Sequence, residues 1–183
     1  MEIRKDINHI LEELGESKER LAELKETPKR VQCACNEFFD GYDKNPKEVL
    51  NVTYPSNMDD IVILKNIPFE SHCEHHMVPI IGVAHVGYIP NGKVVGLSKI
   101  ARVVDCFAHR LQLQERLTME IATIIQQELD CLGTAVLING EHFCVSHRGV
   151  KKHGVSFVTR YFTGCFKNNE LLRKEFLDTC LHD

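Results

Sequence analysis

Nine residues, Ser71-His72-Cys73-Glu74-His75-His76-Met77-Val78-Pro79, gather a thiol and three imidazoles, the densest such cluster in the chain. Cys73 and His76 stand three apart, near enough for both side chains to reach one ion. Far downstream His142-Phe143-Cys144 pairs the same residue types again, followed by Arg148. Zinc takes Cys and His ligands, four in a structural site, three plus water in a catalytic one. Cys73, His76 and Cys144 supply three, which predicts a catalytic centre with its fourth position open. Two thiolates and one imidazole leave the ion formally near neutral. Bound water is then acidified less than in an all-histidine site, and a protein acid or base must stand beside it. His75 and His142 stand where that help is needed. The alternative that spacing allows is a closed zinc knot, with His75 or His142 as fourth ligand. Two apart on a strand, His142 and Cys144 would share a face, so both are expected to point into one cavity.

A second chemical signal is Gly96-Leu97-Ser98-Lys99-Ile100-Ala101-Arg102, which opens a predicted helix with Ser98 as its cap. First helical turns favour Asp and Glu, because the N-terminus is the positive end of the dipole. Lys99 and Arg102 stand there instead. Dipole, free N–H groups and two cations together make an anion site, with phosphate the natural occupant. Arg148 could add a forked donor. The plainer reading is a solvated basic helix edge. Gln114-Glu115-Arg116 opens the next helix. Glu115 there either serves the dipole or accepts two side-by-side N–H bonds, as the N1 and 2-amino edge of guanine offers. His85, His109, His147 and His153 read as surface or core residues.

The elements that must carry these groups follow from pattern. Ile3, Ile7, Ile10, Leu11 and Leu14 recur at helical spacing, and Gly15 breaks the run. Thr27-Pro28 reads as a cap and first helical residue, with the helix ending near Asp40. Residues 49 to 67 turn β-like and stop at Pro68. Ile80 to Pro90 is a predicted strand, Asn91-Gly92 a hairpin turn, and Lys93 to Leu97 the returning partner. Two amphipathic helices follow, then strands from Gly133 to about Cys144 and from Val155 to Phe166. A last helix spans 168 to 181, with Leu171, Leu172 and Phe176 inward. Tight turns between strands predict an antiparallel sheet with helices on one face, class α+β, with residues 1–45 as an N-terminal helical arm and 46–183 as the body. The 183 residues are 43% hydrophobic and 26% charged with net charge -4. No long basic run or aromatic-basic alternation is present, which argues against a nucleic-acid partner. The charged N-terminus and the lack of a long apolar stretch predict no secretory signal, no membrane span and a cytoplasmic location. Eight cysteines in a reducing compartment read as metal ligands or buried small hydrophobes, not as a disulfide framework.

Taken together, the segments resemble the GTP cyclohydrolase I family. The resemblance rests on Cys73-Glu74-His75-His76, the Gly96 to Arg102 run, Gln114-Glu115-Arg116-Leu117-Thr118, and His142-Phe143-Cys144 with Arg148-Gly149. Thr27-Pro28-Lys29-Arg30 also resembles the start of the family's core. It implies a tunnelling-fold enzyme that hydrolyses GTP to 7,8-dihydroneopterin triphosphate and formate, assembled as a homodecamer with active sites between subunits. It implies Zn2+ on Cys73, His76 and Cys144, and acid/base roles for His75 and His142 that could be exchanged. It further implies guanine anchoring by Gln114 and Glu115, a ribose-side role for Ser98, and triphosphate contacts from Lys99, Arg102, Arg148 and a neighbouring subunit's Arg30. Two departures stand out. Cys33 occupies a place where many members carry Lys, so one phosphate contact is expected to be missing. Residues 155–160 replace a run usually rich in small hydroxyl residues. The competing readings are a related tunnelling-fold enzyme acting on another purine or pterin, and a structural zinc protein. The nitrile reductase branch of that fold uses a catalytic Cys without zinc, and the Cys73, His76 and Cys144 set argues against it.

Overall fold

The computed structural model describes residues 3–181. The chain divides into two compact units, one up to Asp40 and one from Gly41 onward. In the first, α1 (Ile3–Glu13) packs on α3 (Thr27–Phe38), and Arg4 Nε donates to Gln32 Oε1 at 2.5 Å. Between them lies α2 (Lys18–Glu23), capped by Ser17, whose Oγ accepts from the Arg20 N–H. Thr27 is not the cap of α3. Glu26 before it is already helical (φ -90°, ψ -11°), so Thr27 lacks the extended backbone that a capping residue needs.

The second unit begins with α4 (Pro46–Leu50), β1 (Thr53–Pro55), β2 (Val62–Cys73), β3 (Pro79–Ile89) and β4 (Lys93–Val95). It continues through α5 (Leu97–Ala108), β5 (Leu111–Gln112), α6 (Gln114–Leu129), β6 (Gly133–His142) and α7 (Phe143–Ser146). Then come β7 (Phe157–Phe162), α8 (Cys165–Asn168) and α9 (Glu170–Leu181). The main sheet has the order β5-β2-β3-β6-β7. All its ladders are antiparallel except the short parallel β5–β2 pairing. The class is α+β, as expected.

Side chains alternate across the sheet with period two. On one face Val86, Tyr88, Val136 and Ile138 meet Ile100, Val103, Leu117, Ile121 and Ile125 of the two long helices. On the other, Ala135 and Leu137 meet Phe166 and Phe176 of the C-terminal helices. Burial of each large apolar side chain here is worth about 1.5–3 kcal/mol.

Four local expectations are corrected. β2 runs through Pro68 to Cys73, because at Pro68 it is paired only with β3, and a proline is tolerated where no second neighbour needs its N–H. β4 pairs with β1, not β3. Only Gly92 of the Asn91-Gly92 turn has positive φ (+74°), whereas the tight hairpin turn needs both residues there. Helix α5 is capped by Gly96 without a side-chain bond, and Ser98 lies inside its first turn. Leu171 is 78% exposed, while Phe176 carries the inward face of α9.

His85 on β3 is buried, and its Nδ1 accepts from the Asn66 N–H at 3.4 Å beside a β-bulge. Burial first, then the Lys65 cation, hold its pKa below the usual histidine value. The unfolded chain therefore binds more protons than the folded one below about pH 6.5. Stability is expected to fall as pH drops from 7 toward the folded-state pKa, by at most about 1.4 kcal/mol per pH unit from this group. Urea unfolding at pH 7.5 and 5.5 should give a smaller pH difference for His85→Gln than for the parent. An equal difference would sink the assignment.

Candidate active site

Register brings the separated motifs to one end of the sheet. Cys73 closes β2, and the chain turns back into β3 through Glu74 to Val78. The turn is tied by Cys73 N–H to the Val78 carbonyl at 2.9 Å and by Met77 N–H to the Cys73 carbonyl at 2.8 Å. His72 pairs with Pro79, Ile80 with His142, and Cys73 with Gln112. The β2–β3 turn, the end of β6, β5 and the start of α6 thus converge. Cys144 does not share a strand with His142. The chain leaves β6 at His142, and Cys144 sits on α7. Both still line one cavity of about 270 Å³, with Cys73, His75, Glu115 and Phe157 among the other walls.

The ligand atoms of Cys73, His76 and Cys144 lie within 4.8 Å of one another, the only such group among the described residues. Cys73 Sγ is 3.7 Å from His76 Nδ1, close to the edge of about 3.6 Å that a tetrahedral zinc site with these ligands requires. Burial, and after it the Cys73 sulfur, raise the Cys144 thiol above its ordinary pKa. Two sulfurs that resist joint ionisation are the arrangement a cation relieves. The donor set therefore fits a zinc-type ion.

Around this group the acid/base candidates differ. His75 is mostly exposed; its Nδ1 lies 3.7 Å from Cys73 Sγ and its Nε2 3.9 Å from Glu74 Oε1. His142 is half-buried, edge-on to Phe157 at 5.4 Å, and its Nε2 is 2.9 Å from Gln114 Oε1. Gln114 is fully buried, and its Nε2 donates to the carbonyls of Phe157 and Ile138 and to Thr159 Oγ1. That network orients the amide, so Oε1 accepts and His142 carries its proton on Nε2. Burial, opposed by the Glu115 carboxylate, lowers the His142 pKa, which keeps the ring neutral. Gly140 makes room for this contact: a Cβ there would stand 2.6 Å from Gln114 Oε1.

The remaining predicted residues divide. Glu115 is exposed at the cavity wall. Arg148 reaches the cluster, its Nη1 donating to His76 Nε2 at 2.8 Å. Ser98, Lys99 and Arg102 are not among the residues lining the cavity. They follow β4, whose Val95 N–H donates to Tyr88 Oη, and Tyr88 pairs with Val62 at the far end of the β2–β3 ladder. About 30 Å of strand separates Tyr88 from the Pro79 end. Arg30 lies on α3, in the N-terminal unit.

The family model described as GTP cyclohydrolase I matches residues 3–181. The GTP cyclohydrolase 1 of Sinorhizobium fredii (strain NBRC 101917 / NGR234) is 53% identical over 156 residues, 84% of this chain and 76% of its own length. That of Brucella suis (strain ATCC 23445 / NCTC 10510) is 57% identical over 146 residues, 79% of this chain and 68% of its own. The chain belongs to the GTP cyclohydrolase I family. The match is not confined to one motif: the span of the GTP cyclohydrolase I model takes in the Cys/His turn, the starts of α5 and α6, and the segment from His142 to Arg148. Among solved structures, an apo archaeosine synthase QueF-Like aligns over 57% of this chain and 93% of its own, at 20% identity and TM-score 0.48.

Sequence reasoning missed Glu74, Gln112, Arg116 and Phe157 in this GTP cyclohydrolase I site. Arg116 Nη2 donates to Glu74 Oε2, joining the Cys/His turn to α6. A cation in the first turn of a helix is unfavourable without a partner. Read at Arg116 as it was at Lys99, that anomaly was the available signal.

Proposed function

We propose that this chain is the zinc-dependent hydrolase that converts GTP and water to 7,8-dihydroneopterin triphosphate and formate, the first step of tetrahydrofolate and pterin synthesis. The observation that carries the reading is one cavity wall holding the Cys73, His76 and Cys144 ligand atoms together with Glu115 and His142. Family membership over residues 3–181 supports it.

When bound, zinc supplies a Lewis acid and an activated water for attack at purine C8. The chain's own residues do the rest. The Glu115 carboxylate accepts the N1 and 2-amino hydrogens of guanine and aims C8 at the Cys73/His76/Cys144 corner. Gln114 holds that end of the pocket by fixing His142. His142, whose Nε2–H is held by Gln114, takes up a proton at its free Nδ1 and passes it toward N7 as the ring opens, and His75 moves protons for the water and the ribose oxygen. Phe157, Val155 and Val145 form the apolar walls that limit water. Arg148 swings from His76 to the phosphates.

Lys99, Arg102 and Ser98 of the same chain are not among the residues that line this cavity. They are assigned to the phosphate and ribose end of a neighbouring copy's site, as is Arg30. This supports assembly into the family's homodecamer, with residues 1–45 as arm and 46–183 as catalytic body. All eight cysteines are free thiols, which supports a reducing, cytoplasmic setting. No helix among the described residues is long and apolar enough to cross a membrane.

The test is direct. Zinc-loaded protein incubated with GTP, then oxidised, should yield a fluorescent pterin and one formate per GTP. Zinc binding without pterin would leave the structural-zinc reading and reject this one.

A further inference from the structure

The first turn of α6 is built against its own dipole. Arg116 stands third in the helix, behind Gln114 and Glu115, where a cation is disfavoured. Its guanidinium is engaged on several sides. Nη2 donates to Glu74 Oε2 and to the Leu111 carbonyl at 3.1 Å, and Nε donates to Gln112 Oε1 at 3.1 Å. Gln112 is itself buried and fixed, its Nε2 donating to the Phe107 carbonyl at 3.0 Å and to Glu120 Oε2 at 2.9 Å. The Glu74 N–H donates to the Gln112 carbonyl at 3.1 Å. Glu74, the residue between Cys73 and His75, is thus tied by its backbone to β5 and by its carboxylate to α6. The pair is partly shielded, at 37% and 29% side-chain exposure, and Arg116 makes bonds that a loose surface pair lacks.

We propose that Arg116 is a positioning residue for the metal-binding turn: through Glu74 it fixes Cys73-Glu74-His75-His76 against α6, so the ion and the base-anchoring Glu115 keep one spacing. The inference rests on the zinc reading of the Cys73, His76 and Cys144 group. Three consecutive residues of one helical turn then each set one part of the site. Gln114 orients His142, Glu115 meets the base, and Arg116 holds the turn. Without the guanidinium, the Glu74 carboxylate loses its partner on α6, and the turn loses the side-chain tie that holds it against that helix.

The experiment compares wild type, Arg116→Ala, Arg116→Lys, Glu74→Gln and the Arg116→Ala/Glu74→Gln double variant. Zinc affinity is measured by chelator competition, kcat and KM with GTP, and Tm on the metal-free protein. Arg116→Ala should weaken zinc binding about 10–100-fold, the range for groups that support metal ligands. It should lower kcat by a similar factor while KM moves less than about threefold. Arg116→Lys keeps the charge but not the fork and recovers only part of the loss. Glu74→Gln reproduces the loss, and the double variant is no worse than either single change, because both remove one interaction. Zinc affinity equal to wild type in Arg116→Ala and Glu74→Gln overturns the proposal. So does a change confined to the Tm of Arg116→Ala. Should Arg116→Ala fail to fold, Glu74→Gln, which leaves Arg116 bonded to Leu111 and Gln112, decides by the same titration. A wild type that binds no zinc and yields no pterin removes the functional reading itself, which is a distinct outcome.

Discussion

Cys144→Ala is expected to give a folded protein that neither retains zinc through purification nor opens GTP. Cys144 supplies the one ligand that comes from outside the β2–β3 turn, so the site cannot close on an ion without it. Removing a group that merely supports a ligand costs about 10–100-fold in metal affinity, and removing a thiolate ligand should cost more than about 100-fold. The fold should survive. Cys144 is only half-buried at the margin of a core centred on α5, α6 and the sheet, and loss of its side chain costs on the order of 1 kcal/mol of burial. Cys144→His, which returns a nitrogen ligand at the same position, should regain part of the metal. The readouts are zinc per chain after dialysis against a weak chelator, and fluorescent pterin formed from GTP. One full equivalent of zinc in Cys144→Ala would show that the ion sits elsewhere.

The parts of this molecule that were legible in sequence are those set by local rules. Ile100, Val103, Val104 and Phe107 recur at helical spacing and all lie buried on α5. Ile121, Ile124, Ile125 and Leu129 do the same on α6. The Cys73-x-x-His76 spacing and the distant Cys144 identified three side chains that the structure brings to one point. What was not legible depends on partners chosen across the fold. Whether β4 answers β3 or β1 is decided by the turn at Asn91-Gly92, where one positive φ is present and the tight hairpin needs two. Pro68 looked like a strand end because nothing local says that its N–H side has no neighbour there.

The same limit governed the site. Lys99 and Arg102 carry an anion-binding pattern that holds locally, but only the β2–β3 register places them at the far end of the sheet from Cys73. Spacing alone does not show where along the sheet a helix start will stand relative to the Cys/His turn. Gln114 looked like a substrate contact, whereas its amide is buried and bonded to Phe157, Ile138, Thr159 and His142. Its influence on the base is therefore assigned through His142. Glu115, one residue further round the helix, lines the same cavity as Gln114 but is exposed where Gln114 is buried.

His142→Ala carries the second large expected effect: kcat should fall about 10²–10⁴-fold, the usual worth of a positioned acid or base, while zinc stays bound. Retention of the metal is what separates an acid/base role from a ligand role. His142 is outside the group of Cys73, His76 and Cys144, and its Nε2 faces Gln114 Oε1 at 2.9 Å. Loss of the imidazole also strips the buried Gln114 Oε1 of a donor, which should cost about 1–3 kcal/mol of stability. A lower Tm would therefore accompany the lost turnover, and activity must be read where both proteins remain folded. His142→Asn separates the two effects, because its amide can donate to Gln114 but cannot trade protons near neutral pH. Its Tm should approach the parent's while its kcat stays low. Zinc lost from His142→Ala and His142→Asn alike would make His142 the fourth ligand, close the site to water and end the hydrolytic mechanism.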